Sequence, residues 1–236
     1  MSYVAYQPRP EGGPFGWVQQ FFFEVEPTLV TSLSGETETW RVFMAPFNVR
    51  THSGWHLEAN WAPEFERLDE PFEVSSGVTI PRGSYTFHRF RVEVNSPDAL
   101  PLRVSAHVWF GDFYSGKLTE TFASVAWAEP TGHLQLELDA LDDYGYLPEG
   151  NFIQRLWQLR AAYSFSPNLF LQSFLQYDSI SRNVGMNSIL RWTIRPGRDF
   201  FVVWNRGWLS PIEGGAGRLQ TMGDELIVKL RWTFRR

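Results

Sequence analysis

Charged side chains recur two or four positions apart, on one parity, along several stretches of the chain. Arg89, Arg91 and Glu93 form one such series, Glu137 and Asp139 a second, Arg191 and Arg195 a third, and Lys229 and Arg231 a fourth. Glu58, Arg103 and Arg160 stand on the polar parity of their own segments. An extended backbone turns alternate residues to opposite sides, so each series lies on one face. Guanidinium groups stay ionised and grip carboxylates or oxyanions in a planar fork. Two roles follow for these twelve residues: an interior ladder of salt bridges that rigidifies the protein, or a charged wall that selects solutes by charge. His52, His56 and Glu58 also share a parity, which brings His56 and Glu58 close enough to share a metal ion. A catalytic zinc needs three convergent ligands, and no third is identifiable, so no metal set is assigned. Asp142 and Asp143 could attract calcium, but solvated loop acids explain them as well. Five histidines without a G-x-S-x-G element give no catalytic constellation, and no cofactor is expected. Gly214-Gly215-Ala216-Gly217 lacks the Lys-Ser/Thr of a phosphate loop and reads as a flexible external loop.

These groups sit in a chain of unusual composition. Of 236 residues, 17% are aromatic, and lysine occurs only at Lys117 and Lys229, leaving arginine as the dominant cation. The absence of cysteine excludes disulfide scaffolds, thiol nucleophiles and Cys-ligated metal centres. No apolar run approaches the roughly 18 residues of a membrane-spanning helix. The net charge of -5 divides unevenly, with -12 up to position 150 and +7 beyond it. A globally acidic chain whose basic residues alternate with apolar ones does not form a nucleic-acid stripe. Positions 1–10 carry no basic stretch followed by an apolar one, so the sequence reads as one whose leader was removed, or as a fragment.

The element that positions the charges is the β-strand. Leu134, Leu136, Leu138 and Ala140 alternate with Gln135, Glu137 and Asp139. Trp157, Leu159, Ala161, Tyr163 and Phe165 alternate with Gln158, Arg160, Ala162 and Ser164. The same period of two recurs through about thirteen runs of roughly ten residues each, and no amphipathic helix interrupts them. Connections of unequal length separate the runs. Segments 142–151, 178–185 and 207–223 read as long, whereas Ser166-Pro167-Asn168 and Pro196-Gly197 read as tight turns. A weak internal repeat matches Ile80-Pro81-Arg82-Gly83-Ser84-Tyr85 with Leu147-Pro148-Glu149-Gly150-Asn151-Phe152, and Asn95-Ser96-Pro97 echoes Phe165-Ser166-Pro167. Each copy is loop, strand, Ser-Pro turn, strand.

Long amphipathic antiparallel strands with alternating short and long connections predict an all-β, antiparallel transmembrane β-barrel of about 12 to 14 strands, or the C-terminal part of a larger barrel. Residues 1–236 would form one barrel domain or fragment, with 1–14 an N-terminal extension or incomplete strand. Trp55, Trp61, Trp157, Tyr163, Tyr177, Trp192, Trp204, Trp232 and Phe234 are expected in aromatic girdles at the headgroup level, where an apolar ring with one polar edge is favoured. The end of the chain, Leu230-Arg231-Trp232-Thr233-Phe234, is similar to a barrel-assembly signal, except that two arginines follow it.

Tyr163-Ser164-Phe165-Ser166-Pro167, Gln176-Tyr177-Asp178, Leu190-Arg191-Trp192, Arg195-Pro196-Gly197 with Asp199-Phe200-Phe201, and Val228-Lys229-Leu230-Arg231-Trp232 together resemble the C-terminal barrel of an uncharacterised family of bacterial outer-membrane proteins. Members of that family carry an N-terminal domain similar to family-nine carbohydrate-binding modules. The resemblance spans residues 70–236 and implies a location in the Gram-negative outer membrane. The implied partners are membrane lipid, lipopolysaccharide, the barrel-assembly machinery and a missing N-terminal periplasmic or carbohydrate-binding portion, with no nucleic acid. It supplies no catalytic residues. The expected function is porin-like passage of solutes, saccharides among them. The alternatives are a soluble β-sandwich carbohydrate-binding module and an outer-membrane barrel enzyme.

Overall fold

The computed structural model describes residues 3–210 and 218–233. Sixteen strands and one short 3-10 turn (Gly13–Phe15) account for nearly all of it. The strands are β1 (Val4–Tyr6), β2 (Val18–Phe21), β3 (Phe23–Thr31), β4 (Thr37–Thr51), β5 (His56–Leu68), β6 (Phe72–Ser75), β7 (Val78–Ile80), β8 (Gly83–Asn95), β9 (Leu102–Phe113), β10 (Gly116–Ala128), β11 (Leu134–Leu147), β12 (Gly150–Ser166), β13 (Leu169–Asp178), β14 (Asn183–Arg195), β15 (Arg198–Leu209) and β16 (Gln220–Trp232). Fourteen of them form one antiparallel sheet in the order β1-β3-β4-β5-β8 and then consecutively to β16, with β2 attached to β4; β6 and β7 form a separate hairpin. Among the described residues, no ladder joins β16 to β1, β2 or β3. Among the described residues no helix is long and apolar enough to cross a membrane, which says nothing of a β-barrel.

Local chemistry explains the turns. β14 and β15 are joined by Pro196-Gly197 alone. Proline presets φ at the first position, and Gly197, at φ +83°, supplies the left-handed conformation at the second, the pattern of a type II turn. Pro27 falls within β3, where its missing N–H would break a central ladder. Among the described residues, β1 pairs with β3 only over Phe23–Val25, so the outer edge of β3 at Pro27 has no described strand partner, a place where proline is tolerated.

By contact density the chain divides into two compact units. One comprises Met1–Leu100, Val104–Ala123 and Asp142–Ile153; the other comprises Pro101–Arg103, Ser124–Leu141 and Gln154–Arg236. The first unit contains a conventional apolar core. Val78 and Ile80 of β7 pack with Leu118, Leu147 and Phe152, and Leu68, Val74, Tyr85, Phe113 and Tyr114 surround them. The internal repeat is a packing repeat. Ile80 and Leu147 are both buried in this core, Gly83 and Gly150 each open the next strand, and Tyr85 and Phe152 both reach back into the same cluster.

Two expected loops are shorter than their composition suggests. Residues 142–147 continue β11, and only Pro148-Glu149 connects it to β12. Gly145 is buried beneath the Phe152 ring, and this cross-strand packing carries the polar Asp142-Asp143 segment into the ladder. Similarly, β15 extends to Leu209 and β16 begins at Gln220, with Gly207 directly opposite Gly223. Gly214–Gly217 and Phe234 lie outside the described residues.

The second unit has almost no buried apolar residue. Its ladders are long and regular: Tyr163, Leu171, Leu190, Val202 and Val228 succeed one another across five strands on one face, and Phe170, Arg191, Phe201 and Lys229 do so on the other.

Candidate functional site

The charged face of each unit is organised around arginines. In the first unit, β5 and β8 pair Glu58 with Glu93 and Asn60 with Arg91. The Arg91 guanidinium bridges the two carboxylates, 2.9 Å from Glu58 Oε1 and 3.0 Å from Glu93 Oε2, and donates from Nε to Asn60 Oδ1 at 2.7 Å. Asn60 and Asn95 donate in turn to Glu58 (2.6 Å) and Glu93 (2.7 Å). Glu58 is only 7% exposed, and these contacts replace the water that its carboxylate lacks. The Arg91 guanidinium also lies over Trp109 (5.3 Å) and Phe43 (5.7 Å), an arrangement that holds its plane.

His56, Glu58 and Glu93 bring three metal-type ligand atoms within 4.8 Å of one another, so Glu93 is the third member that sequence spacing could not identify. Both ring nitrogens of His56 are nevertheless engaged, Nε2 with Asn48 Oδ1 (2.8 Å) and Nδ1 with the Asn95 amide (3.3 Å). With Arg91 between the carboxylates, the set is complete as a hydrogen-bonded cluster. His52 is not part of it.

A second group in the same unit surrounds an open hollow of about 390 Å³. Arg89, 4% exposed, donates to the Leu118 carbonyl (3.2 Å) and pairs with Glu120; Arg41 lies 3.2 Å from Glu64. Tyr114, in the two-residue turn after β9, donates to Glu66 at 2.7 Å. Burial first, and then this carboxylate partner, hold its phenol above the usual range.

In the second unit, Arg160 Nη1 donates to Glu137 (2.7 Å) and Asp139 (2.6 Å), while Nη2 donates to Gln158 (3.0 Å) and Phe174 lies under the guanidinium. Further along, Gly185, Gly207 and Gly223 stand opposite one another on β14, β15 and β16. Beside them runs an amide row in which Asn187 donates to Asn205 (2.5 Å) and Asn205 to Glu225 (3.0 Å). An open hollow of about 560 Å³ lies over this glycine row. At the other end, Asp199 accepts from Arg191 and Thr193.

Seven of the twelve charged residues expected on one face thus enter two arginine-centred groups or an ion pair with Asp199: Glu58, Arg91 and Glu93; Glu137, Asp139 and Arg160; and Arg191. Arg89 joins a partner absent from that set, Glu120. Arg231 is the cross-strand neighbour of Asp199 and Lys229 that of Phe201. Arg103, the second residue of β9, has no ion pair among the described residues. The register shift between Thr193 and Arg195 places Arg195 opposite Arg198, whose guanidinium lies 3.9 Å from the Trp232 ring centre, so Arg195 stands apart from the Arg191 group. Glu64, Glu120, Asp199, Asn187 and Asn205 were not singled out by sequence, although each shares the polar parity of its strand.

The opposite face is aromatic and apolar. Val92 and Leu138 are 53% and 52% exposed, and Leu226 is 66% exposed. In the second unit the aromatics fall at two levels. Trp157, Tyr177 and Trp208 mark one, since Trp157 pairs with Tyr177 and Val184 stands between Tyr177 and Trp208; Trp192 and Trp232 mark the other. Tyr163 packs edge-on against Phe165 near the second level. Trp204 lies between the levels, opposite Ser188 and Leu226. In the first unit, Trp61 of β5 stacks on His88 of β8, and Trp55 ends the turn before β5.

No histidine among the described residues is hydrogen-bonded to a serine or threonine hydroxyl. The arrangement offers polar surface and fixed charge suited to holding a hydrated solute. Searches against family models, curated proteins and solved structures find no match for the chain.

Proposed function

We propose that this chain is a porin-like outer-membrane β-barrel protein, or the strand-rich part of one, whose charged face lines a route for small polar solutes. The observation that carries this reading is an inversion of solvent exposure. In the first unit Val92 is 53% exposed whereas Glu58 and Arg89 are each less than a tenth exposed, and in the second Leu138 is 52% exposed whereas Asp139 and Asp199 are each less than a tenth exposed. A soluble β-sandwich covers its apolar face with a second sheet. Here the apolar face is uncovered over many strands, which is favourable in hydrocarbon and unfavourable in water.

The spacing of the aromatics supports the same reading. From Val184, at the level of Tyr177 and Trp208, to Trp192 is eight positions along β14, or about 27 Å of extended chain. Tilted about 40°, that length rises about 21 Å, close to the roughly 25 Å apolar band of a transmembrane barrel. The likeness of residues 70–236 to an outer-membrane family points the same way, and saccharide passage rests on that likeness alone.

The test is refolding of the chain in detergent, heat-modifiable gel migration, and single-channel recording in planar bilayers. Discrete conductance steps from the heat-modifiable form are expected. A monodisperse, β-rich monomer that remains in aqueous buffer and does not enter vesicles would refute the proposal.

A further inference from the structure

The arginine groups differ in charge. Arg91 faces two carboxylates, Glu58 and Glu93, and Arg160 faces two, Glu137 and Asp139, so each of these groups carries a surplus of negative charge. In the group around Asp199 the ratio is reversed. Arg191 donates to Asp199 Oδ1 from Nε (3.2 Å) and Nη2 (3.0 Å), and Thr193 donates to the same oxygen at 2.7 Å. Arg231 stands directly opposite Asp199 in the ladder, and Lys229, two residues earlier on β16, stands opposite Phe201 on the same face. Among the described residues, neither Arg231 nor Lys229 has a hydrogen-bond or ion-pair partner, and both are exposed. One carboxylate therefore faces two cations, Arg191 and Arg231, and Lys229 is the next charge on the same face of β16.

The site is held in place by its surroundings. The Arg191 guanidinium lies between Phe170 (6.0 Å) and Phe201 (5.6 Å), its direct neighbours on the two flanking strands. The Pro196-Gly197 turn is closed by the Thr233 amide donating to the Gly197 carbonyl at 2.8 Å. Beside this turn is an open hollow of about 520 Å³, lined by Arg191, Arg198, Arg231, Asp199 and Thr233.

We propose that this hollow binds a phosphate-type oxyanion, with Arg231 as its principal ligand, Arg191 beside it in the lining, Lys229 adding positive charge from the next same-face position of β16 outside the lining, and Asp199 acting to position Arg191. The chemistry is that of guanidinium forks meeting a tetrahedral anion through charge-assisted hydrogen bonds. The site follows from the charge arrangement within one compact unit and does not depend on what covers the apolar face.

The experiment titrates the folded full chain, in zwitterionic micelles, with inorganic phosphate, read by calorimetry and by phosphorus NMR line broadening. Saturable binding is expected. Arg231→Gln should weaken it about tenfold or more, and Lys229→Gln should weaken it to a smaller extent. Asp199→Asn keeps an oxygen for Arg191 and Thr193 but removes the competing charge, so it should tighten binding, a direction that a folding defect does not produce. A second arm replaces phosphate with micelles containing phosphatidic acid. Stronger binding there assigns the occupant to a lipid headgroup, and stronger binding of free phosphate assigns it to a soluble oxyanion, with the substitutions acting in the same directions in either arm. Absence of saturable binding in both arms, or binding that neither Arg231→Gln nor Asp199→Asn changes, overturns the proposal.

Discussion

Leu138→Arg separates a lipid-facing apolar surface from a water-facing one. Leu138 lies in β11 between Glu137 and Asp139, whose carboxylates both bind Arg160 on the opposite face, and it is itself 52% exposed. In water, a substitution at so exposed a position, away from caps and ion pairs, changes stability by no more than about 0.5 kcal/mol. In a bilayer, an arginine on the lipid face near mid-depth costs about 2–4 kcal/mol. The same change thus differs by a factor of at least four between the two environments. Gln135→Arg, on the polar parity of the same strand, is the control and should stay within about 0.5 kcal/mol. The assay is urea unfolding of the chain in phosphatidylcholine vesicles, followed by tryptophan fluorescence, with midpoints compared at constant slope. A Leu138→Arg midpoint equal to that of the unsubstituted chain, with Gln135→Arg the damaging change, would refute the assignment of faces.

Two further outcomes follow from the packing. Arg91→Gln removes the cation that bridges Glu58 and Glu93, both largely withdrawn from solvent, and should cost about 3–5 kcal/mol, because a buried charge left without its partner is penalised heavily; equilibrium unfolding measures it, and Glu93→Gln in the same chain should recover part of the loss. A Cβ at Gly145 would stand 2.2 Å from the Phe152 ring, so Gly145→Ala should lower the unfolding midpoint in the Phe152 chain and much less in a Phe152→Leu chain, a coupling that a double-mutant cycle reads directly.

How much of this was legible beforehand differs from one residue to the next. The two faces of each strand, the Pro196-Gly197 turn and the repeat that places Tyr85 and Phe152 in equivalent positions are all local. Side-chain alternation, turn propensity and self-similarity are properties of neighbouring residues, and they survive in the folded chain. The parity of Arg91, Arg160 and Arg191 was legible for the same reason. The carboxylates Glu58, Glu93, Glu137 and Asp139 share that parity and were legible with them; which carboxylate meets which arginine was not. Asp199 and Glu120 became visible only when the register between strands set Asp199 beside Arg191 across the Pro196-Gly197 hairpin and Glu120 beside Arg89, 31 positions away. The extension of β11 through Asp142 and Asp143 likewise depends on packing against Phe152 on the next strand, and polar composition alone suggested a loop.

The sequence by itself therefore determined an all-β chain with one charged and one apolar face, because period-two patterning is encoded residue by residue. Tertiary structure alone decided which charges compensate one another and where a surplus remains, because an ion pair depends on distances of a few ångströms between strands that no spacing along one strand specifies.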